Sequence, residues 1–242
     1  FLYLYMNKFL KYNQREPEKG DKKISYSQFA MYSTCPKHWE LGYVKGLRTF
    51  SQSIHTIFGT AFHETLQNYL TVMFEESVTK ANEIDINKYL ANQMHTLYKE
   101  AVDKMGSHFS TERELNEFYS DGVAILDWFK KKRGQYFSAK NEELLGIEVP
   151  IYHPVNDTND VVMMLGYLDI VVRDKRDGKI TIIDIKTSTM GWNKYQKADK
   201  TKTSQLVLYK KYFAEQYGFD VEKIDIKYMI MKRKLIEGAM FP

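Results

Sequence analysis

The chain has 242 residues, of which 43% are hydrophobic and 27% charged, with a formal net charge of +4 and a pI near 8.8. That length is enough for one large domain with a full core and a helical insertion, and the composition is that of a globular protein. A single cysteine, Cys35, excludes an internal disulfide and an iron–sulfur cluster held by several of its own thiolates. No apolar run reaches the ~20 residues that cross a bilayer, so an intracellular protein without a membrane partner is expected.

Residues 1–23 read as a flexible leader, polar and broken by Pro17 and Gly20, with Phe1–Tyr5 too short for a signal-peptide core and Met6 a candidate start. Residues 24–145 read as a helical part. Ser25 caps a first helix carrying Phe29, Met31 and Tyr32, and Cys35-Pro36 restarts a second with Trp39, Leu41 and Tyr43. Cys35 itself is expected to be a small buried hydrophobe. Gly59-Thr60-Ala61-Phe62-His63-Glu64 opens the next helix, which continues through Leu66, Tyr69 and Leu70 at helical spacing. The small residues ahead of His63 predict close packing of the helix start. Two or three amphipathic helices should follow up to about Lys140, with Leu90, Met94, Phe118, Ile125, Leu126 and Phe129 among their core positions. Lys130-Lys131-Lys132-Arg133 reads as a solvated helix end favoured by the dipole.

Residues 146–242 read as an α/β core, the whole chain forming one domain. Gly146 to Tyr152 starts the sheet, and Glu148 is either an ordinary strand-start glutamate or a neighbour of a metal. Leu165 to Arg173 is a strand, Asp177-Gly178 a hairpin turn, and Lys179 to Lys186 the returning strand. Side chains alternate along a strand, which puts Asp184 and Lys186 on one face and Ile185 on the other, with Asp169 close by on the partner strand. Two carboxylates and an ammonium on an apolar hairpin are costly without compensation. Mg2+ would supply it, because it takes hard oxygen ligands, and Asp169, Asp184 and the Ile185 carbonyl offer such a set. Lys186 could then orient a water or stabilise charge in the transition state. The structural alternative is a salt bridge on a hairpin edge, since Asp-x-Lys recurs at Asp21 and at Asp225, the latter an ordinary strand entrance. A lone helical histidine is ordinarily structural or solvated, but His63 could add a nitrogen ligand to the same metal. After Thr187 a lysine-rich connection reads as a loop over the site, Ser204 to Tyr217 as a helix with Gln205 and Tyr209 on one face, and Ile224 to Met231 as the closing strand.

His63 in Gly-x-x-x-His, Asp169 in Gly-x-x-Asp, Asp184-Ile185-Lys186-Thr187 and Gln205-x-x-x-Tyr209, with the Ser-x-Ser and Cys-Pro-x-x-Trp entrance, resemble the RecB-like exonuclease branch of the PD-(D/E)xK nucleases over about residues 25–234. The resemblance implies a restriction-endonuclease-like α/β core: a mixed central β-sheet flanked by helices, with a helical layer from the N-terminal half. It implies Mg2+ or Mn2+ bound by His63, Asp169, Asp184 and the Ile185 carbonyl, with Asp169, Asp184 and Lys186 catalytic. Gln205 and Tyr209 would contact the DNA backbone or brace the lysine. Cys35 matches the first cysteine of the iron–sulfur members, but the three further cysteines of those members are missing, so no cluster is expected. The implied function is a metal-dependent single-strand exonuclease of recombination, repair or phage DNA metabolism, with DNA bearing free ends as substrate and a helicase or recombination protein as partner. The rivals are a structure-selective endonuclease on the same fold and a non-catalytic DNA-binding subunit of a helicase–nuclease complex.

Overall fold

Two long runs rich in β-branched and aliphatic residues, β2 (Glu142–Pro154) and β3 (Val162–Asp174), pair antiparallel in a five-stranded mixed sheet. This is the architecture of the computed structural model, which describes residue 20 and residues 22–48, 51–155 and 161–234. Residues 1–19 of the expected leader, Met6 among them, lie outside it.

β2 follows one edge of β3 along nearly its whole length, from Glu142 opposite Asp174 to Pro154 opposite Met163. The other edge of β3 is shared. β1 (Lys22–Ser25) pairs parallel with Val162–Leu165, and β4 (Ile180–Ser188) pairs antiparallel with Ile170–Arg173. Between them, Gly166 to Asp169 have no ladder partner on that edge among the described residues. β5 (Ile224–Lys232) then lies parallel to β4 from Ile180 opposite Ile224 to Ser188 opposite Lys232.

The period-2 alternation of β4 feeds two cores. Ile183 and Ile185 join Ile170 and Val172 under a helical layer made of α3 (Ile54–Glu75), α4 (Val78–Glu83), α5 (Ile86–Met105) and α6 (Glu112–Lys132), which supply Phe58, Phe62, Leu66, Leu90, Ile125 and Phe129. Ile180 and Ile182 join Val149 and Ile151 under α8 (Lys200–Tyr217), which supplies Leu206, Tyr209, Tyr212 and Phe213, with Tyr26 of α1 (Tyr26–Thr34). The mixed sheet flanked by helices, with its N-terminal helical layer, is the architecture the sequence predicts. Among the described residues no helix is long and apolar enough to cross a membrane.

Several boundaries differ from expectation for local reasons. Lys22 and Lys23, placed in the leader by their charge, are strand residues of β1, and the main sheet begins at Glu142 rather than Gly146. α3 starts at Ile54, ahead of Gly59, because the Ser53 side chain caps it by accepting from the Thr56 N–H. Cys35 is exposed rather than buried. It ends α1 and precedes α2 (Pro36–Trp39) in extended backbone, at a joint between two helices. The connection after Thr187 is not all loop: α7 (Lys194–Ala198) forms inside it under an Asn193–Gln196 capping box, and Asp199 starts α8 earlier than Ser204. Lys130–Lys132 do form the last, basic turn of α6.

The helical layer closes over a glycine. A Cβ on Gly122 of α6 would lie 2.6 Å from Leu90 Cδ2 and 2.9 Å from Phe58 Cε2, both on fully buried side chains. Gly122→Ala gains up to about 1 kcal/mol of helix propensity, but overpacking of a closed core costs about 1–3 kcal/mol. We expect a net loss of stability and a Tm lower by a few degrees, read by thermal denaturation; a raised Tm would mean that the α3–α5–α6 contact yields easily.

Candidate active site

β3 and β4 part company after the Ile170–Ile183 pair, and the first side chain past that point is Asp169. Its carboxylate Oδ2 accepts the Ile185 N–H at 2.6 Å, taking over a backbone donor where the two strands separate. Asp184 and Lys186 share a face of β4 as alternation requires, with Ile185 buried in the opposite core. Asp184 is only 4% exposed. The Lys186 ammonium lies 2.7 Å from Asp184 Oδ2, an ion-pair distance, yet this shielded oxygen has no well-aligned hydrogen bond among the described residues. The recurring triplet at Asp225 has the other environment: it opens β5, and Asp225 pairs with Lys179 at 2.9 Å on the surface. Asp21 lies outside the described residues.

α3 brings a second row of groups. The close packing predicted for its start is seen at Gly59, where a Cβ would meet Thr187 Oγ1 of β4 at 3.3 Å. One turn further, His63 Nδ1 lies 3.6 Å from Asp169 Oδ2. Another turn on, the buried Gln67 donates Nε2 to Glu148 Oε1 at 2.7 Å and to the Asp169 carbonyl at 3.2 Å. Glu148 is therefore neither at a strand start nor an ordinary surface residue. It sits mid-strand in β2, between the Ile147–Ile170 and Val149–Leu168 pairs, with a left-handed φ of 49°. Sequence reading missed Gln67; its only signal is its place four residues after His63 on the same helix face.

α8 closes the other side. Gln205 Nε2 donates to the Tyr209 hydroxyl at 3.3 Å, and the Tyr209 ring lies over Gly166, where a Cβ would come within 2.8 Å of it. The predicted shared face of Gln205 and Tyr209 is thus present, and the partner of the Gln205 amide is Tyr209 rather than Lys186.

The electrostatics of this group are unbalanced. Burial raises the pKa of Asp169, and the nearby Asp184 and Glu148 raise it further, against the pull of the Ile185 N–H and Lys186. Burial also raises Asp184, which Lys186 only partly offsets, and Glu148, where Gln67 opposes the shift and Asp184 adds to it. His63 is pushed down to about 4 by burial and by Lys186, with the Ile185 carbonyl pulling the other way. At neutral pH it is an uncharged imidazole with a lone pair to offer, the form that binds metals. Tyr209 is raised by burial, lowered by Gln205 and raised again by Asp184, Asp169 and Glu148, which marks it as lying in the field of the acids.

Crowded carboxylates with one ammonium are the environment that a divalent cation relieves. Among the described residues no three acidic, histidine or cysteine side chains already stand in a metal-holding arrangement. The donors present nevertheless fit a hard ion such as Mg2+ or Mn2+: two carboxylates, a backbone carbonyl and one imidazole, with Asp184 Oδ2 short of a hydrogen bond.

Among models of protein families, that of the PD-(D/E)XK nuclease superfamily matches residues 23–239. No curated protein matches the chain.

Because burial holds the Asp184 carboxyl above its usual range, folding favours its protonated form. Its contribution to stability is therefore most favourable below the unfolded carboxylate pKa near 4 and declines as pH rises towards the folded value. In metal-free protein Asp184→Asn should raise Tm by a few degrees at pH 8, with the gain shrinking as pH falls towards 4. Thermal denaturation at both pH values reads this; an unchanged or lower Tm at pH 8 would mean that the Lys186 contact fully offsets the burial.

Proposed function

The chain belongs to the PD-(D/E)XK nuclease superfamily, and we propose that it is an Mg2+- or Mn2+-dependent deoxyribonuclease that digests single-stranded DNA from free ends in recombination, repair or phage DNA metabolism. The observation that carries this reading is the meeting of Asp169, Asp184, Lys186 and His63 at the point where β3 and β4 separate.

In this reading His63, Asp169, Asp184 and the Ile185 carbonyl hold the metal, which when bound polarises the phosphate and lowers the pKa of a water. Asp184 keeps the Lys186 ammonium at the edge of the site, where the lysine side chain is 35% exposed and within reach of a substrate. Lys186 orients the attacking water and offsets the charge that builds on phosphorus. Asp169 has a fixed direction because the Ile185 N–H and the Gln67 amide tie its carboxylate and its carbonyl. Glu148, held by Gln67, adds negative charge beside Asp169 and Asp184 and thereby strengthens the attraction for a cation. Gln205 and Tyr209 contact the DNA backbone or brace the site from α8.

The preference for single strands with free ends rests on the resemblance of the site motifs to the RecB-like branch. A protein partner of the helicase or recombination class would deliver such strands.

The test uses purified protein with end-labelled linear and covalently closed DNA, single- and double-stranded, in Mg2+, Mn2+ or EDTA. Linear single strands should be degraded from their ends and circles spared, and EDTA should stop the reaction. Asp184→Ala and Lys186→Ala should each lower kcat by about 10³-fold while binding of DNA in EDTA largely survives. His63→Ala should raise the metal concentration needed for half-maximal activity. Cleavage that persists in EDTA would remove the metal from the mechanism, and rapid cutting of circles would make the enzyme an endonuclease.

A further inference from the structure

The face of the sheet that carries Asp184 and Lys186 continues beyond them. β5 runs parallel to β4 with Asp184 opposite Tyr228, Lys186 opposite Ile230 and Ser188 opposite Lys232, so alternation puts all six side chains on that one face. Past Ser188 the chain turns through residues 189–193 into α7 and leaves a cavity of about 430 Å³. Ser188, Trp192, Asn193, Gln196 and Lys232 are among the residues that line it. The reading above does not use this cavity.

Its walls are tied to the site and to α8. The Trp192 ring packs on Tyr228 with centroids 4.9 Å apart, and the Tyr228 hydroxyl donates to the Lys202 carbonyl of α8 at 2.6 Å. The Lys202 ammonium in turn lies 5.6 Å from the centroid of the Trp192 ring. The Lys232 stem runs against Gly191, which has a left-handed φ of 79° and no side chain to obstruct it: a Cβ there would lie 2.7 Å from Lys232 Cε.

The groups that line the cavity are donors without acceptors. In the capping box of α7 the Asn193 side-chain oxygen accepts the Tyr195 and Gln196 N–H groups, and the Gln196 oxygen accepts the Asn193 N–H. Backbone N–H donors fix which end of each amide is engaged, and both NH2 groups are left without an acceptor among the described residues. Lys232 is in the same condition. Its neighbours Arg233 and Lys234 are ion-paired with Glu117 and Asp121, whereas the Lys232 ammonium has no carboxylate partner among the described residues. No residue lining the cavity is acidic. Residues 187–202 carry four lysines against one acid, Asp199, and that carboxylate accepts the Thr201 N–H. An ammonium and two amides in a positive field suit an anion. A metal ion would be repelled, and a base would leave the ammonium unmatched.

We propose that this cavity binds a backbone phosphate of the DNA strand, the neighbour of the phosphate that is cut. The proposal rests on the nuclease reading and deepens it. Ser188 and Lys232 stand two residues past the Lys186–Ile230 pair, about 7 Å along the strands, a step on the scale of one nucleotide in an extended single strand. Lys186 meets the scissile phosphate and Lys232 the next one, so the two lysines set the course of the DNA across β4 and β5.

The test is single-turnover cleavage, below saturation, of end-labelled single-stranded oligonucleotides that each carry one neutral methylphosphonate, placed at successive linkages on either side of the first bond cut. A methylphosphonate at the linkage next to that bond, on one side only, should slow the wild-type protein roughly tenfold, the scale of one lost hydrogen bond to a charged group. Lys232→Met keeps the stem against Gly191 and removes the charge. It should cut all-phosphate DNA more slowly by a similar factor and be insensitive to the methylphosphonate at that linkage. A wild-type protein that no neighbouring methylphosphonate slows overturns the proposal and leaves the nuclease reading intact, as does a Lys232→Met protein with the wild-type profile. Failure to cut unmodified DNA in either Mg2+ or Mn2+ overturns both.

Discussion

The site depends on a change of partner along one edge of β3. Backbone donors and acceptors in a sheet must be satisfied, and a strand normally meets this by running a continuous ladder on each side. Here β1 takes the first part of the edge, β4 the last, and Gly166–Asp169 lie between. The gap is filled by side chains instead of a strand: the Asp169 carboxylate accepts the Ile185 N–H, and the Tyr209 ring covers Gly166. Had β4 continued in register past Ile183, Asp184 would face Asp169 across a closed ladder, and the Ile185 backbone would be spent on pairing. The separation of the strands is what frees the Asp169 carboxylate to take the Ile185 N–H while it stays in the field of Asp184.

That arrangement is built at the expense of the fold. Asp169, Asp184 and Glu148 are all held above their usual pKa range chiefly by burial, with a single lysine as nearby compensation. Buried charges persist only where surrounding structure over-determines them, and here two well-packed layers do so. Ile183 and Ile185 anchor β4 in one core and Ile180 and Ile182 in the other, so the acids cannot relax outward without moving the sheet. The left-handed backbone at Glu148 is a second such feature, fixed on either side by ordinary β pairs and at its carboxylate by Gln67. Instability of the charges and rigidity of the frame together give a site that would gain from a cation.

Much of this was legible in the residues because the signals were local. The Asp177-Gly178 turn fixes the hairpin, and alternation then places Asp184 with Lys186 and sends Ile185 the other way. The Gly-x-x-x-His spacing places His63 one turn beyond the glycine that touches β4. What was not legible is long-range or conformational. The four residues of β1 are too short and too charged to announce a strand, so the partner change on β3 could not be inferred. Glu148 reads as a strand-boundary residue because nothing in Gly-Ile-Glu-Val-Pro reports a positive φ, and the actual start of β2 four residues earlier lacks a strong hydrophobic alternation. Gln67 looks like any helical amide until Glu148 and the Asp169 carbonyl stand opposite it. A small apolar residue such as Cys35 is ordinarily inside, whereas the break between two helices turns it outward.

The contact between Gly166 and Tyr209 has a wider bearing. The phenol ring occupies the space that any larger residue at 166 would claim, and the glycine leaves a hollow that only a flat side chain from α8 fills without a void. Neither position can drift alone: a methyl group at 166 evicts the ring, and a small residue at 209 uncovers the stretch of β3 that lies between its pairings with β1 and β4. Descendants of this sequence that alter one should alter the other in the same lineage, so these two positions, 43 residues apart, should behave in evolution as a single character.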